Sequence, residues 1–67
     1  DKMIYLSNES LKVINFKKIL KVESDEIVVK MKNKTVYILG NNLCISSFEK
    51  EEFEIIGNIN EIKINKD

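Results

Sequence analysis

Apolar and polar residues alternate along nearly the whole chain, and this period of two restricts it to strands that turn one face inward. Ile27, Val29 and Met31 fall on one side while Lys30 and Lys32 fall on the other. After Asn33-Lys34 the same phase resumes at Val36 and Ile38, which reads as a β-hairpin. Asn33 is the expected turn residue, because Asn enters positive φ at lower cost than most residues.

Two glycines punctuate the rest. Gly40-Asn41-Asn42 interrupts the alternation before Leu43 and Ile45, and Gly57-Asn58 follows Phe53 and Ile55. Both read as corners, since Gly and Asn tolerate the backbone geometry that a corner or bulge demands. The step from Ile59 to Ile62 changes parity, so a bulge near Asn60-Glu61 is expected to keep both on the core face. Ile4 and Leu6, then Leu11 and Val13, give a further strand, corner and strand. Their spacing through Asn8 repeats that of Val36, Ile38, Gly40, Leu43 and Ile45, which suggests either a recurrent unit or coincidence among alternating strands. Phe16, Ile19 and Leu20 alone have helical spacing, over a stretch too short to hold a helix without tertiary support, so strand or irregular structure is expected there.

These elements predict one domain over residues 1–67, all-β, as a small antiparallel β-roll, sandwich or barrel of about six to eight short strands. The expected core comprises Ile4, Leu6, Leu11, Val13, Ile27, Val29, Val36, Ile38, Leu43, Ile45, Phe53, Ile55, Ile62 and Ile64. Tyr5, Ile14, Val28, Tyr37, Leu39, Cys44 and Ile56 fall out of phase with that set. A second apolar face either folds inside or meets another subunit. Tyr5, Val28, Tyr37, Leu39 and Ile56 are therefore the candidate interaction face, and Asn33, Gly40 and Gly57 the structural turn residues.

A chain of 67 residues supports only a modest core, and such chains commonly draw stability from disulfides, a metal or a partner. Cys44 is alone and there is no His, so neither an intramolecular bridge nor an ordinary zinc site can be built. Self-association is the remaining source, and a homo-oligomer is expected. The lone Cys points to a reducing compartment. The apolar runs fall far short of the roughly 20 residues that span a bilayer, which predicts a soluble domain.

Eleven lysines balance eleven acidic residues with no Arg, which removes the basic excess that phosphate-backbone binding draws on. Residues 1–34 hold eight lysines and five acids, whereas residues 35–67 hold three lysines and six acids. The halves thus carry opposite charge, either as a solvated surface or as an attraction between copies. Without His there is no ordinary acid or base near neutral pH, and no Ser or Cys has an activating neighbour in its motif. Glu49, Glu51, Glu52 and Glu54 lack the spacing of a calcium loop and read as a solvated acidic segment. No Gly-rich run cradles phosphate. Cys44, between Leu43 and Ile45, is expected to pack and not to react. Tyr5, Phe16, Tyr37, Phe48 and Phe53 are not interleaved with basic residues on one strand, so core and rim packing is favoured over a base-stacking platform of the OB-like or Sm-like kind. The expectation is a binding or structural protein with no catalytic residue, cofactor, metal or small-molecule substrate. Nucleic acid binding is the alternative.

Gly40-Asn41-Asn42-Leu43-Cys44-Ile45, followed by Phe53 through Ile64 with Gly57 and Ile59 inside it, resembles the G-x-x-L-x-I, polar gap, I-x-G-x-I-x-x-I pattern of the YabP/YqfC family of sporulation proteins. Val13-Ile14-Asn15-Phe16 and Ile19-Leu20 resemble an upstream segment of the YqfC branch. Asn33-Lys34 departs from the Gly that members often carry in the hairpin. The resemblance implies a protein of endospore-forming bacteria, cytoplasmic in the mother cell or peripheral to the forespore membrane, that acts in spore envelope assembly beside a sporulation membrane protein. It supplies no catalytic residue.

Overall fold

A computed structural model gives the fold and describes residues 10–67, together with the backbone of 4–6. Its strands are β1 (Ile4–Leu6), β2 (Ser10–Ile14), β3 (Lys18–Val22), β4 (Glu26–Lys30), β5 (Lys34–Glu49) and β6 (Glu52–Lys66). They form one antiparallel sheet in the order β1-β2-β6-β5-β4-β3, open at both ends. Among the described residues there is no helix long and apolar enough to cross a membrane.

Two strands are much longer than the short ones the sequence suggested. A straight strand of β5's 16 residues would extend roughly 50 Å, whereas the molecule measures only 27 × 22 × 20 Å. The β5–β6 hairpin therefore bends halfway. Register shifts fall between Leu39 and Gly40 and between Asn41 and Cys44, opposite the shift from Glu61 to Ile59 that leaves Asn60 as an extra residue. Asn42 (φ 55°) and Gly57 (φ 130°) occupy the bend. Two hydrogen bonds fix it from outside: the N–H groups of Gly40 and Leu43 donate to the carbonyls of Asp25 and Ser24 in the β3–β4 turn, at 3.1 and 2.8 Å.

Bending converts one sheet into a roll with an inner face. One arm joins β1, β2, the start of β6 and the end of β5; the other joins the end of β6, the start of β5, β4 and β3. Leu11, Val13, Ile27, Val29, Val36, Ile38, Leu43, Phe53 and Ile55 are buried between the arms, with Met31 from the β4–β5 turn. Ile45 and Ile62 are half-buried against that cluster. Ile64, expected in the core, is 53 % exposed, because it lies on the last strand of its arm, with no strand beyond it among the described residues. The side chains of Ile4 and Leu6 lie outside the described residues.

Several expectations require correction. The spacing shared by residues 4–13 and 36–45 does not mark a repeated unit: β1 and β2 reverse as a hairpin, whereas β5 runs on through its bulges. Asn33 lies in the β4–β5 turn without positive φ; the turn closes through the Met31 N–H donating to the Lys34 carbonyl at 2.8 Å, and the Asn33 carbonyl accepts from the Asp67 N–H at 3.0 Å. Among the described non-glycine residues, those that do take left-handed φ are Asn15 (59°), Asn42 (55°) and Glu51 (67°). Cys44 is exposed and not packed, since the bulge at the bend shifts the strand phase at Leu43 and points the thiol outward.

Candidate functional site

Of the residues proposed for an interaction face, the register brings Val28 and Tyr37 side by side on the outer surface, in a row Lys21, Val28, Tyr37, Lys63 across four strands. Leu39 sits in the next row between Glu26 and Glu61. Ile56 lies on the other arm, between Ser10 and Cys44. Tyr5 pairs in backbone register with Lys12, and its side chain lies outside the described residues. Val28 is buried, which removes it from any contact surface; Lys21 and Tyr37 flank it with stems long enough to cover a Val. Tyr37 and Leu39 are half-buried on one arm and Ile56 is exposed on the other, so these three do not form one continuous patch.

The exposed apolar residues that alternation did not flag lie at the margins of the inner face. They are Leu20 and Val22 on β3, Phe48 on β5 and Ile64 on β6. Phe48 is 60 % exposed yet belongs to an aromatic corner. Phe16, from the β2–β3 link, meets Phe53 edge-on at 4.9 Å and Phe48 edge-on at 5.9 Å, while Phe48 and Phe53 stack at 6.1 Å across the β5–β6 hairpin. Such offset and edge-to-face geometries suit the ring quadrupoles. The Asn15 N–H donates to the Glu51 carbonyl at 2.6 Å and pins the link to the hairpin tip. Beside it an open depression of about 240 Å³ is lined by Asn15, Phe16, Lys17, Lys32 and Glu51.

Charge is arranged in local pairs. Lys12 meets Glu52 at 3.2 Å and Lys30 meets Asp67, each joining the basic half of the sequence to the acidic half inside one molecule. Lys21 contacts Glu26 at 2.7 Å and Glu23 at 3.8 Å. The hydrogen bond to Glu26, followed by the negative charge of Glu23, raises the Lys21 pKa above its ordinary value. Among the described residues no three His, Cys, Asp or Glu side chains are grouped to hold a metal ion.

The strand edges differ in what they offer. On β3, Leu20 is an extra residue between Ile19 and Lys21, and Lys18 and Lys21 flank it; bulges and lysines are what discourage edge pairing. The end of β5 is broken by register shifts on both sides of Cys44 and Ile45. The end of β6 is regular, pairing one residue at a time with β5 from Glu61↔Leu39 to Lys66↔Lys34. β2 pairs with β6 only over Glu52–Ile56, so among the described residues no strand lies on the other side of Glu61–Lys66. The direction of its backbone groups follows from one bond. The Asp67 N–H points toward β5, to the Asn33 carbonyl. In a regular antiparallel ladder this direction alternates by residue, so Ile62, Ile64 and Lys66 present N–H and C=O groups outward. An ordered apolar edge with free backbone groups can add a strand.

No family model, curated protein or solved structure matches the chain.

Proposed function

We propose that this domain is a non-catalytic assembly module that pairs with itself and with a protein partner during construction of the bacterial spore envelope. The observation that carries the assembly part is the free edge of β6: a regular strand with outward backbone groups and a half-exposed Ile64. Strand addition draws affinity from main-chain hydrogen bonds and specificity from alternate side chains, so this role needs no active site. Sporulation enters through the resemblance of Gly40–Ile45 and Phe53–Ile64 to the YabP/YqfC pattern. That likeness also sets the expected place, the mother-cell cytoplasm at the forespore membrane, and the expected partner, a sporulation membrane protein.

The test is removal of the chain from an endospore-forming host that carries it, with a fluorescent fusion restored in trans. Normal growth, a spore envelope defect in thin section and fluorescence around the forespore are the expected results. Normal spores, with expression confined to growing cells, would contradict the reading.

A second reading has one observation in its favour: exposed Phe48 and half-buried Phe16 stand near a depression that Lys17 and Lys32 also line. Aromatic rings beside cations are the elements of a single-strand binding surface. Retention of a labelled oligonucleotide that falls steeply with salt, and is lost in Phe48→Ala, would support this alternative.

A further inference from the structure

We infer that two copies of this chain join through the end of β6, antiparallel about a two-fold axis at Ile62, so that the roll of one copy continues into the roll of the other. This deepens the self-association proposed above and rests on that reading. The occupant of the edge is a second copy because the strand is complementary to itself in one register. With Ile62 opposite Ile62, Glu61 of each copy lies opposite Lys63 of the other, twice by symmetry. Moving the centre to Lys63 opposes two lysines, and moving it to Glu61 opposes two glutamates. Centring on Ile64 sets Glu61 against Asp67 and Ile62 against Lys66. Like charges directly opposite are destabilising and opposite charges stabilising.

Backbone direction agrees with that register. Ile62 is among the residues whose N–H and C=O point away from β5, so the two Ile62 residues form a hydrogen-bonded pair and exchange both bonds across the axis. Glu61 and Lys63 then form the non-bonded pairs, where opposed side chains approach most closely. On the inner face Ile64 falls diagonal to the partner's Ile62. The four isoleucines make one apolar strip, which covers the side chain that the single chain leaves half in water. The zero net charge adds no long-range repulsion between copies.

The experiment uses the full chain in a Cys44→Ser background. Glu61→Cys and Lys63→Cys proteins are oxidised separately and mixed, and dimers are read on a non-reducing gel. The expected result is a disulfide dimer from the mixture and little from either alone. Dimer from Lys63→Cys alone, or from Glu61→Cys alone, would place the axis one residue away and overturn the register. Sedimentation of variants without Cys gives an independent reading. Glu61→Lys and Lys63→Glu should each weaken the dimer by about tenfold or more, and the double exchange should restore it. A chain that still associates, with no cross-link in the mixture and no response to charge exchange, overturns the edge while leaving self-association standing. A chain that stays monomeric throughout overturns both.

Discussion

The carbonyl oxygen of Asn42 lies 2.5 Å from the point where a β-carbon on Gly57 would sit, so the two strands of the bent hairpin touch backbone to backbone at the bend. The Gly57 φ of 130° is itself one that side chains rarely adopt. Gly40 stands in the same relation to the Asn58 carbonyl on the other side of the bend. Both glycines are needed for the approach that folds one sheet over its own core. Gly57→Ala should lower stability by roughly 1–3 kcal/mol through strain and displaced backbone. Gly40→Ala should do so by displacement alone, and urea denaturation measures each. An alanine variant at either site as stable as the parent would mean that the bend opens freely.

Glu51 makes the opposite prediction. Its φ of 67° is left-handed and costly for a side chain without local hydrogen bonding, yet its carbonyl must face the Asn15 N–H. Glu51→Gly should relieve that cost and raise stability by roughly 0.5–1 kcal/mol, net of the extra freedom of Gly in the unfolded chain. A shift of the urea midpoint upward is expected, and a shift downward would show that Glu51 carries no strain at this φ.

The aromatic corner should separate core from rim. Phe53 is 1 % exposed and touches both other rings, so Phe53→Ala should cost about 3–5 kcal/mol and leave little folded protein. Phe48 is exposed, and Phe48→Ala should stay within about 1 kcal/mol of the parent, the scale of one aromatic pair. Equal losses would show that Phe48 is buried in solution.

Lys21 predicts a pH dependence on the alkaline side. Its pKa is raised by the hydrogen bond to Glu26 and then by the charge of Glu23, so the folded state holds the proton more tightly than the unfolded state. The stabilisation is therefore complete below the ordinary value of 10.5 and is lost as pH rises through the folded value. The stability gap between the parent and Lys21→Met should be small, constant from neutral to mildly alkaline pH, and should close above about pH 10.5. A gap that closes already between pH 6 and 8 would contradict this assignment.

Alternation showed Leu11, Val13, Ile27, Val29, Val36, Ile38, Phe53 and Ile55 as core because each is a regular strand position with neighbours on both sides. It also located the bulge at Asn60, since a parity change between Ile59 and Ile62 has few other causes. It failed where tertiary context decides. Nothing in the pattern distinguishes Ile64, at the end of an arm, from Ile62 beside it. The tip at Lys50-Glu51 lacks the Gly or Asn that marks most tight turns, so the acidic segment was legible as solvated, which it is, but not as the turn that closes the β5–β6 hairpin. Val28 was assigned to the outside by phase, correctly for direction and wrongly for exposure, because period two says nothing about the length of the flanking side chains. The free β6 edge was invisible from sequence, since strand order determines it and local pattern does not.

The proposed self-association runs through the exposed end of β6. Light scattering across a dilution series measures it most directly, on the parent and on Ile62→Pro. That proline removes an outward N–H without breaking a bond to β5. A dimer that dissociates on dilution is expected for the parent, and a folded monomer at the same concentrations for the variant. A parent that is monomeric at every concentration, or a folded proline variant that dimerises as well as the parent, would contradict it.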